Sequence, residues 1–149
     1  MMLAAVVVIQ AAPSRADAGW DHMQRGDLAA ADGYWRPRAE AGDAAAMAGL
    51  AHIAAVRGDH ATAVRWHHRA AAGGDHEASI LLGSAYLEGR GVPRNPVLAY
   101  AWYHYASLRG RPNAARARDL AARWLTDEQA AEARALAKHW RVDGPPKSP

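Results

Sequence analysis

Three histidines crowd the stretch "VRWHHRAAAGGDH": His67, His68 and His76, beside Trp66. Imidazole is a common metal ligand and a common proton acceptor near neutral pH, so the cluster raises the question of a metal site or a general base. Spacing argues against either within one helix. Two ligands on a helix face one ion when they stand three or four residues apart, whereas His67 and His68 are adjacent, about 100° apart around the axis. The positions three and four away hold Ala63, Val64, Arg65, Ala70, Ala71 and Ala72, none of them a ligand, and His76 lies beyond Gly73-Gly74. His60 stands two turns before His67, which makes half a site. Cysteine is absent, which removes thiol nucleophiles, disulfides and cysteine-based zinc sites. Ser79, Ser84, Ser107 and Ser148 occupy neither a G-x-S-x-G elbow nor an S-x-x-K motif. "GRGVPRNP" lacks the lysine of a phosphate-binding loop. No catalytic, cofactor or metal residue is assigned.

Charge gives one further candidate. The net charge is +3, with sixteen Arg against two Lys, too weak a balance to imply nucleic acid. Arg109, Arg111, Arg116, Arg118 and Arg123 are opposed only by Asp119. They read either as a solvated surface or as a contact for an anionic partner, the latter weakening with salt.

The elements that would position these groups are helices. The chain has 149 residues, the length of one domain, and half of them are hydrophobic, many of these alanine. There is no Phe; six Trp and five Tyr supply the bulk. Alanine favours helix, and β-branched runs are absent outside Val6–Ile9, so an all-α fold is expected. Gly-Asp recurs at residues 26–27, 42–43, 58–59 and 74–75, every sixteen residues. Glycine just past a helix accepts the left-handed conformation, and aspartate caps the next helix, so each pair ends one helix and starts another. Two helices make a 32-residue unit, which places Tyr34 with Trp66 and, after a longer third unit, Trp66 with Trp102. Trp20, His52 and Tyr86 fall at equivalent places in the preceding helices. Small residues where helices touch, with one large flat side chain per gap, suit a stacked helical solenoid.

The third unit, "ASILLGSAYLEGRGVPRNPVLAYAWYHYASLRG", resembles the Sel-1-like repeat, a tetratricopeptide-like helical hairpin. Leu82, Gly83, Tyr86, Gly89, Gly91, Val92, Ala99, Trp102, Tyr103, Ala106 and Gly110 carry that likeness. The second unit fits less well, lacking the G-x-G-V turn and holding His52 and His67 where the third has tyrosines. The resemblance implies a right-handed α-α superhelix of about three hairpins, at 19–42, 43–74 and 75–110, with a helical cap at 111–141. In that cap Asp119 and Arg123 are spaced to pair, Thr126 and Gln129 form a capping box, and Ala133, Leu136, Ala137 and Trp140 make one apolar stripe. Residues 142–149 are expected to be a disordered tail.

"MMLAAVVVIQ", followed by Ala16-Asp17-Ala18, has the layout of a secretory signal peptide, although no basic residue precedes the apolar run. Cleavage after Ala18 and a periplasmic or secreted protein are expected; an uncleaved N-terminal membrane anchor is the alternative.

The resemblance also implies a peptide groove lined by the first helix of each hairpin. Carried onto this chain, its positions are Asp43, Ala46, Leu50, Ile53 and Ala54, then Glu77, Ile80, Ser84, Leu87 and Glu88; the competing reading is that the apolar members are core. The expected function is an adaptor or regulator that binds another envelope protein without catalysis. One alternative is an envelope enzyme or a module that binds cell-wall or β-lactam-like material, as proposed for cysteine-rich relatives of this family. The other is a metal-binding envelope protein using His68 and His104, which occupy equivalent places in successive units.

Overall fold

The computed structural model describes residues 17–149. The expected signal segment, apart from its last two residues, lies outside the described residues. Eight α-helices follow in order: α1 (Ala18–Gln24), α2 (Leu28–Glu40), α3 (Ala44–Val56), α4 (His60–Ala72), α5 (His76–Glu88), α6 (Pro96–Ser107), α7 (Pro112–Ala121) and α8 (Asp127–Asp143). A 3-10 turn, Ala122–Trp124, separates α7 from α8. No strand occurs among the described residues, as expected of an all-α chain. Each helix through α7 packs on its predecessor, and α8 folds back onto α6.

The Gly-Asp series punctuates the stack. Gly26, Gly42, Gly58 and Gly74 all have positive φ, between 76° and 99°. Asp27, Asp43, Asp59 and Asp75 are the N-caps of α2, α3, α4 and α5, each accepting from a backbone N–H of the first turn. The third unit departs from this scheme through Gly89 and Gly91. A Cβ on Gly91 would lie 2.4 Å from the His60 carbonyl oxygen, so the turn rests directly on the start of α4. Asn95 then caps α6, and Pro96 occupies its first turn.

Aromatic rings on glycine hold neighbouring helices together. Trp35 is fully buried, and Cβ atoms added at Gly19 or Gly49 would fall 2.2 and 2.4 Å from its indole. Tyr103 packs on Gly83 in the same manner, at 2.5 Å. The recurring slot is therefore Trp35, His67, Tyr103, one residue beyond the Tyr34, Trp66, Trp102 series. Tyr34 and Trp66 are only half-buried and lie under the guanidinium groups of Arg38 and Arg69. Trp102 is closed from solvent because α8 brings Trp140 to 4.5 Å between ring centroids. Ala99 and Ala106 are also buried, beneath neighbouring helices.

The cap differs from expectation in two details. Asp119 pairs with Arg118 at 2.7 Å rather than with Arg123, because α7 ends at Ala121 and the tighter turn removes Arg123 from the i+4 position. The last residues are not a free tail. α8 runs on to Asp143, Pro145 is buried, and the Pro146 carbonyl accepts a hydrogen bond from His68 at 2.9 Å. The Thr126–Gln129 capping box forms, and Ala133, Ala137 and Trp140 are buried with Leu136 packed beside them.

Candidate functional site

His67 sits between two tight aromatic contacts, in the slot filled by tryptophan before it and tyrosine after it. Its ring is smaller than either, and a hollow of about 150 Å³ opens beside it. Ala55 of α3, His60 and Ala63 of α4, and Leu81, Ser84 and Glu88 of α5 are among its walls. The rim carries the Glu88–Arg90 ion pair. Leu81 is 42% exposed there, and Val56 ends α3 at 57% exposure. Ser84 is oriented by the hydroxyl of Tyr103 at 2.9 Å. Desolvation is the main influence on His67 and lowers its pKa to about 4, so the ring is neutral at pH 7. His67 Nδ1 is shielded from solvent and has no hydrogen-bond partner among the described residues.

The predicted groove divides into two parts. Ala46, Leu50, Ile53 and Ala54 are core, Leu50 and Ile53 being 2% and 1% exposed, because α2 and α4 enclose that face of α3. They present no surface to a ligand. Asp43 is taken up in capping α3 and in an ion pair with Arg38 at 3.0 Å. Ile80 and Leu87 are half-buried against the core, and Glu77 is exposed. Of the ten positions, Ser84 and Glu88 line the hollow. Leu81 and His67 were missed as lining residues. The signal for His67 was present in the repeat register, which set a histidine where its neighbours carry larger rings.

His68 is neither solvent-facing nor free to bind a metal. It is 1% exposed. The Pro146 carbonyl can only accept, so Nδ1 carries the proton; Nε2 of the neutral ring, 3.1 Å away, accepts from the Tyr86 hydroxyl. Both nitrogens are thus engaged, and Trp102 packs edge-on at 5.2 Å. His104 has other neighbours, stacking on Tyr100 at 6.0 Å. Among the described residues no three His, Asp or Glu side chains come together to hold a metal ion.

The five arginines have different neighbours. Arg118 is held by Asp119, Arg109 lies over Tyr105 at 5.4 Å, and Arg116 and Arg123 border a shallow surface around Leu120. Arg111 precedes α7 at a cap position without making a side-chain cap.

Comparison with known proteins agrees with this architecture. The Sel1 repeat model matches residues 44–75 and 76–110. No curated protein sequence matches the chain significantly. Among solved structures, the chain is similar to c5321, a protective antigen present in uropathogenic Escherichia coli strains that displays an SLR fold. The TM-score is 0.75 and the identity 27%, over 82% of this chain and 28% of that one, so the likeness spans under a third of the antigen. Residues 44–110 thus carry two Sel1 repeats, in a stack of helical hairpins whose fold is like that of a solved Sel1-like repeat protein.

Proposed function

We propose that the protein is an exported, periplasmic scaffold that binds a segment of another envelope protein at the hollow beside His67, acting as adaptor or regulator without catalysis. Sel1-like repeats generally mediate protein–protein contact. The observation that carries the placement is the hollow itself: an opening between two hairpins, with exposed Leu81 on one wall and a polar rim at Ser84 and Glu88. An apolar side chain of a partner segment would fill the space that a tyrosine fills in the next slot, while its backbone reaches the rim. The location rests on the apolar run and A-x-A sequence of residues 1–18.

The test is affinity capture from an envelope extract with the protein and its Leu81→Glu variant. The expected result is a discrete protein retained by the first and lost by the second, with helical content unchanged because Leu81 is exposed. Equal capture by both would sink the placement. Retention of labelled penicillin or muropeptide, with no protein retained, would replace the adaptor reading by the ligand-binding one. Cell fractionation with mass measurement tests export; a chain that stays cytoplasmic at full length contradicts it. The same mass locates the cleavage. Asp17 caps α1 and accepts from the Trp35 indole at 3.2 Å, so cleavage after Ala18 would remove both contacts.

A further inference from the structure

A second surface lies between α6 and α8 and shares no residue with the hollow beside His67. It is a groove of about 280 Å³. One wall is His104 and Leu108, one helical turn apart at the end of α6 and just past it, with the buried Tyr100 behind His104. The other is the row Arg134, Lys138, Arg141 on α8. At roughly 100° per residue, these three cations fall within about 60° of arc, next to the buried stripe of Ala133, Ala137 and Trp140. Of the acids of the same helix, Glu128, Glu132 and Asp143 fall on the far side, Asp143 occupied by His139 at 2.8 Å, while Asp127 shares the cationic face two turns before Arg134 and forms no ion pair with it.

The cations are therefore gathered and unanswered. None of Arg134, Lys138 and Arg141 forms an ion pair among the described residues. Arg134 reaches only the Tyr100 hydroxyl, at 3.4 Å. Arg118 and Arg134 also place positive charge near His104. The facing wall joins Leu108, 40% exposed, to His104, which stacks on Tyr100 and whose buried Nδ1 has no hydrogen-bond partner among the described residues. Like charges brought together without counter-ions repel one another, and an anion relieves that repulsion while gaining charge-assisted hydrogen bonds from two guanidinium groups.

We propose that the α6–α8 groove binds an acidic peptide segment, its carboxylates on Arg134, Lys138 and Arg141 and an apolar side chain against Leu108. Both walls choose this occupant. A phosphate polymer would use the cations and leave Leu108 unsatisfied, whereas a segment carrying glutamate and leucine together matches the cationic row and the exposed Leu108 at once. The groove holds a few side chains, which suits a short linear segment.

The test is fluorescence anisotropy with a labelled hexapeptide of alternating glutamate and leucine, at low and at physiological salt. The purified protein is expected to bind it, with affinity falling as salt rises. Arg134→Ser with Lys138→Ser and Arg141→Ser is expected to weaken binding at least about tenfold, roughly 1.4 kcal/mol or more. Arg109→Ser with Arg111→Ser and Arg123→Ser removes the same formal charge and is expected to change affinity less than about twofold, since these residues lie outside the groove. Leu108→Ser is expected to weaken the glutamate–leucine peptide and to leave a glutamate–glycine peptide unaffected. Absence of binding, equal loss in the two triple variants, or tighter binding of inorganic polyphosphate than of peptide would each overturn the proposal. Leu81→Glu is expected to leave this binding intact, so failure here and failure at the other hollow are separate results.

Discussion

Gly49 and Gly33 both sit inside helices, yet the structure makes opposite demands on them. A Cβ at Gly49 would stand 2.4 Å from the Trp35 ring, which is fully buried and has nowhere to go, whereas nothing lies within 4 Å of a Cβ at Gly33. Gly49→Ala is therefore expected to cost about 1–3 kcal/mol through overpacking. Gly33→Ala is expected to stabilise by about 0.5–1 kcal/mol through lower chain entropy. Urea denaturation of the two variants checks this, and similar effects would contradict the glycine–aromatic account. His67 makes a second prediction at this scale. Its folded pKa, about 4, lies below the ordinary 6.5, so the unfolded chain takes up the proton first. The stability it contributes is present above about pH 6.5 and is lost as pH falls toward 4, by at most about 1.4 kcal/mol per pH unit. His67→Tyr fills the hollow with the ring found in the next slot. It should raise the melting temperature, flatten the loss of stability between pH 6.5 and 4, and weaken partner capture. An unchanged pH profile would show that another group governs acid unfolding; His68, His76 and His104 are also held below their ordinary pKa by burial.

At the scale of elements, α8 closes the stack. Trp140 covers Trp102 at 4.5 Å and meets Tyr105 at 6.2 Å, and the chain beyond it returns to His68. Trp140→Ala should cost about 3–5 kcal/mol, the range for truncating a buried large aromatic, measured by thermal unfolding. A cost under about 1 kcal/mol would mean that α8 is not part of the core. The helices themselves were legible in the sequence. The sixteen-residue Gly-Asp series and the Thr126–Gln129 box mark starts and stops with residues whose local chemistry needs no tertiary context. Which face each helix buries was less legible. Alanine-rich helices carry little periodic signal, so Leu50 and Ile53 could be read equally as groove or core, and enclosure by both α2 and α4 settled it. The return of Pro146 to His68 is a contact between residues 78 apart in the chain, beyond any local pattern.

Across the whole molecule, two surfaces stand apart: a partly apolar hollow between hairpins and a cationic groove beside the cap. The repeat register located the first only indirectly, through His67, and two of the ten predicted groove residues line it. The second needed α8 folded onto α6, since Leu108 and Arg134 are brought together only by that packing. The arginine-rich run between residues 109 and 123 drew attention to charge, but Arg118 is held there by Asp119, while the quieter Arg134, Lys138 and Arg141 align without an ion pair among the described residues. The central claim is that the protein works by holding another protein at the hollow beside His67. The most direct measurement is photo-crosslinking in cells, with a benzophenone side chain placed at Leu81 in one variant and at Glu132, exposed on the far side of α8 from the cationic groove, in another. A discrete protein adduct from Leu81 and none from Glu132 is the predicted result; no adduct from either position, or the same adducts from both, would contradict it.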